Sequence, residues 1–289
     1  MPPAWHLPTS ATTMPELPEV EATRRHLAPV LEGSRIVGAV VRRPRMVRRQ
    51  ERPGDFAERV TGRRVDRLGR RGKFLLASLE GDITWVTHLG MSGRMSVNRP
   101  EDPDVPHTNV VIGLDSGTEV RMIDPRTFGF VAAFTPDELD EALSGRVGPD
   151  AYESLPGAHR LTGALAGRTA AIKSILLDQR VVSGLGNIYA DEVLHRAGVR
   201  PGRPAGTLDA TEIRAIRGAI RPVLAAGLRH GGTSLADLAY LLPDGRAGEY
   251  TGRLDAYGRE GEPCRRCGAE IVRTVIRARS SFWCPGCQS

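Results

Sequence analysis

The apolar positions divide the chain into stretches of different period. Residues 1–13, MPPAWHLPTSATT, show no period and read as a disordered leader or a misassigned start. Met14-Pro15-Glu16-Leu17-Pro18-Glu19 then opens an apolar series at Val20, Leu27, Val30 and Leu31 that fits one helix face, with Gly33 as its stop. From Arg35 to about Phe134 the period shortens into strand-like runs at Ile36–Val41, Phe74–Leu79, Ile83–Thr87, Val110–Leu114, Val120–Ile123 and Phe130–Phe134, separated by Gly, Asp and Pro. That pattern predicts an antiparallel β-sandwich or barrel. A Gly- and Pro-containing connection, roughly Ser144 to Gly157, precedes a return to helical spacing. In Thr211–Leu228 the residues Ile213, Ile216, Ile220, Val223, Leu224 and Leu228 form an amphipathic stripe, with Thr211 as its N-cap. The tail from about Asp255 contains two more strand-like pieces, Ile271–Ile276 and Ser281–Trp283. The expected class is α+β, divided as 1–13 leader, 14–134 β-sandwich domain, 135–158 linker, 159–254 helical domain and 255–289 cysteine-bearing tail.

Composition narrows the function classes. A length of 289 residues accommodates two domains of ordinary size. No apolar run approaches the ~18 residues of a membrane span and the leader lacks a secretory apolar stretch, so a cytoplasmic address and no membrane partner are expected. The 40 Lys+Arg against 34 Asp+Glu favour a polyanionic partner. Only two of those cations are lysines, Lys73 and Lys173. Where Arg is the habitual cation, each Lys is a candidate for amine chemistry, because an ammonium can lose its proton and a guanidinium cannot; a compositional leftover is the plainer alternative.

All four cysteines fall within the tail, which argues against a secreted disulfide framework. Cys264-x-x-Cys267 and Cys284-x-x-Cys287 are separated by the sixteen residues 268–283, the spacing of a four-thiolate zinc ribbon. Each C-x-x-C is a tight turn that places two sulfurs on one metal. Four thiolates leave no open position, so one structural Zn2+ is expected, and a ribbon this short depends on it to fold. A redox pair or two disulfides is the competing reading. Arg273, Arg277 and Arg279 on the hairpin are candidates for phosphate contact, or simply a solvated charged face.

Five segments in order, Met14-Pro-Glu-Leu-Pro-Glu-Val-Glu21, His88-Leu-Gly-Met-Ser-Gly93, Asp124-Pro-Arg-Thr-Phe-Gly129, Gly184-Leu-Gly-Asn-Ile-Tyr-Ala-Asp191 and the cysteine ribbon, resemble formamidopyrimidine-DNA glycosylases of the bacterial Fpg/Nei family, purine type. The resemblance implies an N-terminal β-sandwich domain, a helical domain with a helix-two-turn-helix, and a zinc hairpin, with double-stranded DNA in the cleft between domains and a monomeric enzyme. In that reading Gly184 and Gly186 allow a sharp turn before a helix Ile188–Ala197, stopped by Gly198, whose first N–H groups can hold a DNA phosphate. An ordinary inter-helix turn is the alternative.

The resemblance also implies a mechanism. Pro15 is the nucleophile, through its own nitrogen once Met14 is removed, and forms a Schiff base with C1′ that permits β- and then δ-elimination; helix-start geometry is its structural alternative. Glu16 matches the acid that protonates the sugar ring oxygen, and Glu19 is a second carboxylate or a cap. Lys73 matches a lysine on a strand entering the cleft, and Arg279 an arginine that grips the lesion's phosphate. His107, Arg126 and Arg168 match DNA-contacting positions, with His88 and Asn187 as further phosphate candidates. Met91, Arg126 and Phe128 match the wedge that fills the void left by an everted nucleotide; core packing is the commoner fate of a Met or Phe.

Two departures qualify this. With the leader attached, the Pro15 nitrogen is an amide and cannot attack, so the resemblance favours a start at Met14. The segment 240–254 matches the lesion-recognition loop only loosely, with Gly248-Glu249-Tyr250 where relatives read Gly-Tyr-Phe. The rival readings are an endonuclease VIII-like enzyme for oxidised pyrimidines, which starts Glu-Gly-Pro-Glu and lacks the wedge, a non-catalytic damage-binding homologue with its amine masked, and a zinc-ribbon nucleic-acid module unrelated to repair.

Overall fold

In the computed structural model residues 15–235 and 240–289 are described; the leader and Met14 lie outside them. Helix α1 (Leu17–Leu31) follows its N-cap Glu16 and ends before Gly33, whose φ of +86° suits glycine. It joins the two main cores: Leu17 is buried with the helical residues, whereas Val20, Leu27 and Leu31 are buried among the strands.

The strands pair antiparallel into two four-stranded sheets. One has the order β1 (Ile36–Val41), β6 (Thr108–Leu114), β7 (Glu119–Ile123), β5 (Arg94–Asn98); the other runs β2 (Val65–Arg71), β3 (Phe74–Leu79), β4 (Ile83–His88), β8 (Phe130–Phe134). Their facing sides enclose a core that includes Ile36, Leu68, Leu75, Trp85, Ile112, Met122 and Val131. This is the expected sandwich. Strands β2 and β5 escape the sequence pattern, as do the short helices α2 (Asp55–Val60) and α3 (Pro136–Leu143). In β2 the register shifts between Val65 and Arg67, so Val65 and Leu68 both face inward and the alternation of period two is broken.

Helices α4 (Ala158–Leu165), α5 (Ile172–Leu176), α6 (Asn187–Ala197) and α7 (Ala210–Arg229) build the second core. Helix α6 agrees with expectation and stops at Gly198, which is left-handed at φ +75°. Helix α7 begins earlier than predicted. Its N-cap is Asp209, whose carboxylate accepts the Thr211 and Glu212 N–H groups while Glu212 bonds back to Asp209 N, so Thr211 lies inside the first turn. The tail hairpin is β9 (Val272–Ile276) paired with β10 (Arg279–Trp283). Besides its cysteines the tail is anchored by Tyr257, Ile271 and Phe282, which are buried in the helical core. No described helix is long and apolar enough to cross a membrane.

Candidate active site and DNA interface

Pro15 and Glu16 are both buried where α1 meets the turn before α6. Leu17 N–H donates to Gly184 O at 3.0 Å. The Glu16 carboxylate lies against the α6 N-terminus, accepting from Gly186 N–H at 2.6 Å, Ile188 N–H at 2.8 Å and Tyr189 N–H at 3.3 Å. These are donors that the sequence offered to a DNA phosphate. They serve the protein's own carboxylate instead, because α1 delivers it there first. The two glycines of the turn have different reasons. Gly184 sits at φ +107°, a conformation few side chains adopt, whereas Gly186 is extended at φ −133° and is needed for room, since a Cβ there would come within 2.3 Å of Glu16 Cδ.

Burial pushes the Glu16 carboxyl up to about 7; the Lys73 ammonium opposes the rise and Glu19 adds to it. Lys73 is 4% exposed, and burial lowers its amine, with Glu16 opposing and Arg279 adding to the fall. Glu16, Lys73 and Arg279 therefore form one electrostatic unit. Lys73 stands in the Gly72–Lys73 turn between β2 and β3, not within a strand, since Gly72 at φ +57° reverses the chain tightly. A buried set of charges clamps that turn: Arg70 bonds Glu21 at 3.2 Å and Asp150 at 2.6 Å, and Asp150 also accepts Gly72 N–H at 2.8 Å.

Glu19 both caps and bridges. Its carboxylate accepts Glu16 N–H at 2.8 Å, Tyr189 O–H at 2.8 Å and Thr233 N–H at 2.7 Å, tying α1 to the helical core.

Arg279 opens β10 and is exposed. The hairpin turn before it is Arg277-Ala278, both left-handed at φ +46° and +60°, the geometry of a two-residue turn built here without glycine or asparagine. The second lysine fixes this strand from behind. Lys173, fully buried on α5, donates to Ser280 O at 2.8 Å and pairs with Asp191 at 2.8 Å, and Asp191 accepts Phe282 N–H at 2.9 Å. Burial pushes Asp191 up to about 7 and Lys173 down, and the charge of each opposes the other's shift. Lys173 is thus an internal strut rather than a reactive amine. Lys173→Met is expected to cost about 3–5 kcal/mol of unfolding free energy, because it leaves Asp191 buried and unpaired. Denaturant melts would show it; a loss under about 1 kcal/mol would mean that the pair is dispensable. Asn187 Nδ2 also donates to Ser280 O, at 3.1 Å, so this candidate phosphate contact is turned towards the hairpin.

The three wedge positions come together on two loops. Met91, between β4 and β5, is half-buried; Arg126 and Phe128, between β7 and β8, are exposed, with the Arg126 guanidinium 4.8 Å from the Phe128 ring centre. Buried Asp124 ties the loops together, accepting Ser92 O–H at 2.6 Å and the N–H groups of Gly129 at 2.7 Å and Arg126 at 3.3 Å. Phe128, 40% exposed, is not the core residue its type suggests. His107 is exposed with a left-handed φ of +69°, and its carbonyl accepts Asp124 N–H at 3.1 Å. His88 is aligned with Phe74 on β3 and Phe130 on β8, and its Nδ1 accepts Gly90 N–H at 3.1 Å. Burial, with Lys73, Arg48 and Arg49 nearby, lowers it to about 4, so it is a neutral ring whose remaining proton sits on Nε2. Arg168 is exposed in the connection after α4. In the loosely matching loop Tyr250 is buried and stacked between Tyr189 and His230, while Glu249 is exposed.

The sulfurs of Cys264, Cys267, Cys284 and Cys287 lie within 4.8 Å of one another. Tetrahedral zinc at about 2.3 Å from each sulfur needs S···S separations of about 3.8 Å, so the four residues fit the ion. Asp124, Asp191 and Tyr189 belong to this machinery although sequence reasoning gave them no role. Asp191 and Tyr189 sit inside a recognised motif; only their long-range partners reveal what they do.

Comparison with known proteins agrees with this geometry along the chain. Residues 14–131 match the formamidopyrimidine-DNA glycosylase N-terminal domain, 147–238 the H2TH domain of the same family, and 261–289 the zinc finger found in FPG and IleRS. The formamidopyrimidine-DNA glycosylase of Ruegeria pomeroyi is 45% identical, covering 95% of this chain and 100% of the relative, and that of Nocardia farcinica is 42% identical, covering 95% and 98%. Among solved structures, MutM (FPG) from Thermus thermophilus superimposes with a TM-score of 0.84 at 39% identity, covering 95% of this chain and 98% of that one. A Lactococcus lactis FPG variant bound to Fapy-dG-containing DNA superimposes with a TM-score of 0.88 at 31% identity, covering 95% and 100%. With all three domain models matched in order and full-length relatives above 40% identity, the chain belongs to the formamidopyrimidine-DNA glycosylase family.

Proposed function

We propose that this protein is a bifunctional DNA glycosylase and AP lyase that excises oxidised purines, 8-oxoguanine and formamidopyrimidines, from double-stranded DNA. The observation that carries the reading is the buried Glu16 carboxyl beside Pro15, which accepts the Gly186, Ile188 and Tyr189 N–H groups and which burial pushes up to about 7. An acid poised near neutrality next to a secondary amine suits attack at a glycosidic carbon. The Pro15 nitrogen bonds C1′ and loses its proton while Glu16 protonates the ring oxygen. The glycosidic C1′–N bond breaks, the base leaving with the electron pair and taking up the proton released from Pro15, and the protonated ring oxygen leaves C1′ as the C1′–O4′ bond breaks. The resulting iminium draws electrons from C2′; loss of the C2′ proton expels the 3′ phosphate, and a second elimination expels the 5′ phosphate. Lys73 and Arg279 hold the phosphates that depart.

Met91, Arg126 and Phe128 fill the gap left by the everted nucleotide, supported by the Asp124 clamp; His88, His107 and Arg168 supply further DNA contacts, and Asn187 steadies the hairpin that carries Arg279. One structural zinc per chain holds the hairpin that carries Arg279, and the enzyme acts as a monomer. The exposed wedge favours the purine reading over an oxidised-pyrimidine enzyme.

The chemistry requires Pro15 to be the first residue of the active chain, since its nitrogen is otherwise an amide. Borohydride trapping on an 8-oxoguanine·cytosine duplex tests this with chains begun at Met14 and at Met1. A covalent adduct from the Met14 form alone is expected. Tight lesion binding without an adduct from either form would replace the lyase with a damage-binding protein.

A further inference from the structure

Helix α6 presents one face to the cysteine-bearing tail. Asp191 accepts Phe282 N–H, and Glu192 accepts the N–H groups of Asp255, Ala256 and Tyr257 at 2.8–2.9 Å. One turn further on, His195 is buried with its Nε2 3.4 Å from Cys264 Sγ, while its carbonyl accepts from the Arg266 guanidinium at 2.9 Å. Cys264 Sγ also accepts Arg266 N–H at 3.4 Å.

We propose that His195 is an outer-sphere partner of the metal centre, donating its Nε2–H to the Cys264 thiolate and so setting how tightly the ribbon retains zinc. Four thiolates around Zn2+ carry a net charge of −2, and each N–H directed at a sulfur draws some of that charge away from it. Cys264 is 3% exposed, so water cannot supply this donor. The N–H comes from α6, whose opposite end holds Glu16. The metal is thereby linked through one rigid helix to the catalytic carboxyl. Outer-shell partners of this kind typically contribute 10–100-fold to metal affinity.

The inference rests on zinc occupying the four-cysteine site, so the zinc content of the wild-type full chain is measured first; a chain that takes up none overturns both readings. Zinc transfer to a chromogenic chelator is then compared in wild type, His195→Phe, which keeps ring volume without an N–H, and His195→Gln, which keeps an N–H donor. His195→Phe is expected to lose zinc about 10–100-fold more readily, with His195→Gln recovering part of the difference. Retention equal to wild type in His195→Phe, or equal losses in both variants, overturns the proposal while leaving the metal site intact. A measurement without any variant guards against misfolding. In cadmium-113-substituted wild-type protein a proton–cadmium correlation should show the His195 ring N–H coupled to the metal across sulfur, and a spectrum with only cysteine protons would refute the contact.

Discussion

Glu16→Gln should slow excision of 8-oxoguanine by about 10²- to 10⁴-fold in single-turnover assays, the usual contribution of a positioned acid. Cleavage of a preformed abasic site should fall much less, because its open-chain aldehyde needs no ring-oxygen protonation. The substitution is not structurally silent. Glu16 accepts N–H bonds on both oxygens, from Ile188 on one and from Gly186 and Tyr189 on the other. A glutamine must turn its NH2 group towards one of these donors, which costs about 1–3 kcal/mol of stability. Thermal melts therefore accompany the kinetics. Equal losses on the 8-oxoguanine and abasic substrates would assign the effect to folding or Pro15 placement rather than to proton donation.

The same carboxyl fixes the pH profile. The protonated acid is lost as pH rises through about 7, while a free proline amine is gained as pH rises through its reference value near ~8. The productive state needs both, so base excision should peak between these values, with only about 6% of molecules in that state at the maximum. In Glu16→Gln the alkaline fall should disappear and the acid-side rise remain. A wild-type rate that keeps climbing past about pH 9 would remove Glu16 from the role of acid.

The sequence disclosed what local patterns encode. Strands β1, β3 and β8 have the bounds their alternation predicts, and the paired C-x-x-C turns identify a four-sulfur site because both halves are short-range signals. Strand β2 was hidden by its bulge and by a high arginine content that mimics a solvated loop. Long-range partners were hidden in a different way. Lys173 looked reactive because lysine is rare here, yet its role depends on Asp191 and Ser280, and nothing local distinguishes an internal strut from an amine in a cleft. Gly186 looked like a turn glycine because spacing cannot report that a carboxylate arrives from 170 residues away. The resemblance to a family supplied the site positions, but not the contacts that place them.

Removing the metal should have the largest binding effect. The four sulfurs lie within 4.8 Å of one another and Cys264 and Cys284 are buried, so with the cation removed nothing offsets their mutual repulsion. Structural zinc contributes on the order of 10–16 kcal/mol in small ribbons at neutral pH, more than Tyr257, Ile271 and Phe282 supply by docking on the helical core. As the hairpin opens, Ser280 O leaves Lys173 and Asn187, Phe282 N–H leaves Asp191, and Arg279 leaves the Glu16–Lys73 unit. The β-sandwich shares only the one through Lys73 and should persist. Chelation is thus expected to weaken binding to a duplex with an abasic-site analogue by more than about 100-fold, since losing an anchored, desolvated arginine alone costs about 2–5 kcal/mol. Circular dichroism should retain the strand signal, and added zinc should restore binding. Undiminished affinity in the metal-free protein would show that packing on α6, rather than the ion, holds the hairpin and its arginine in place.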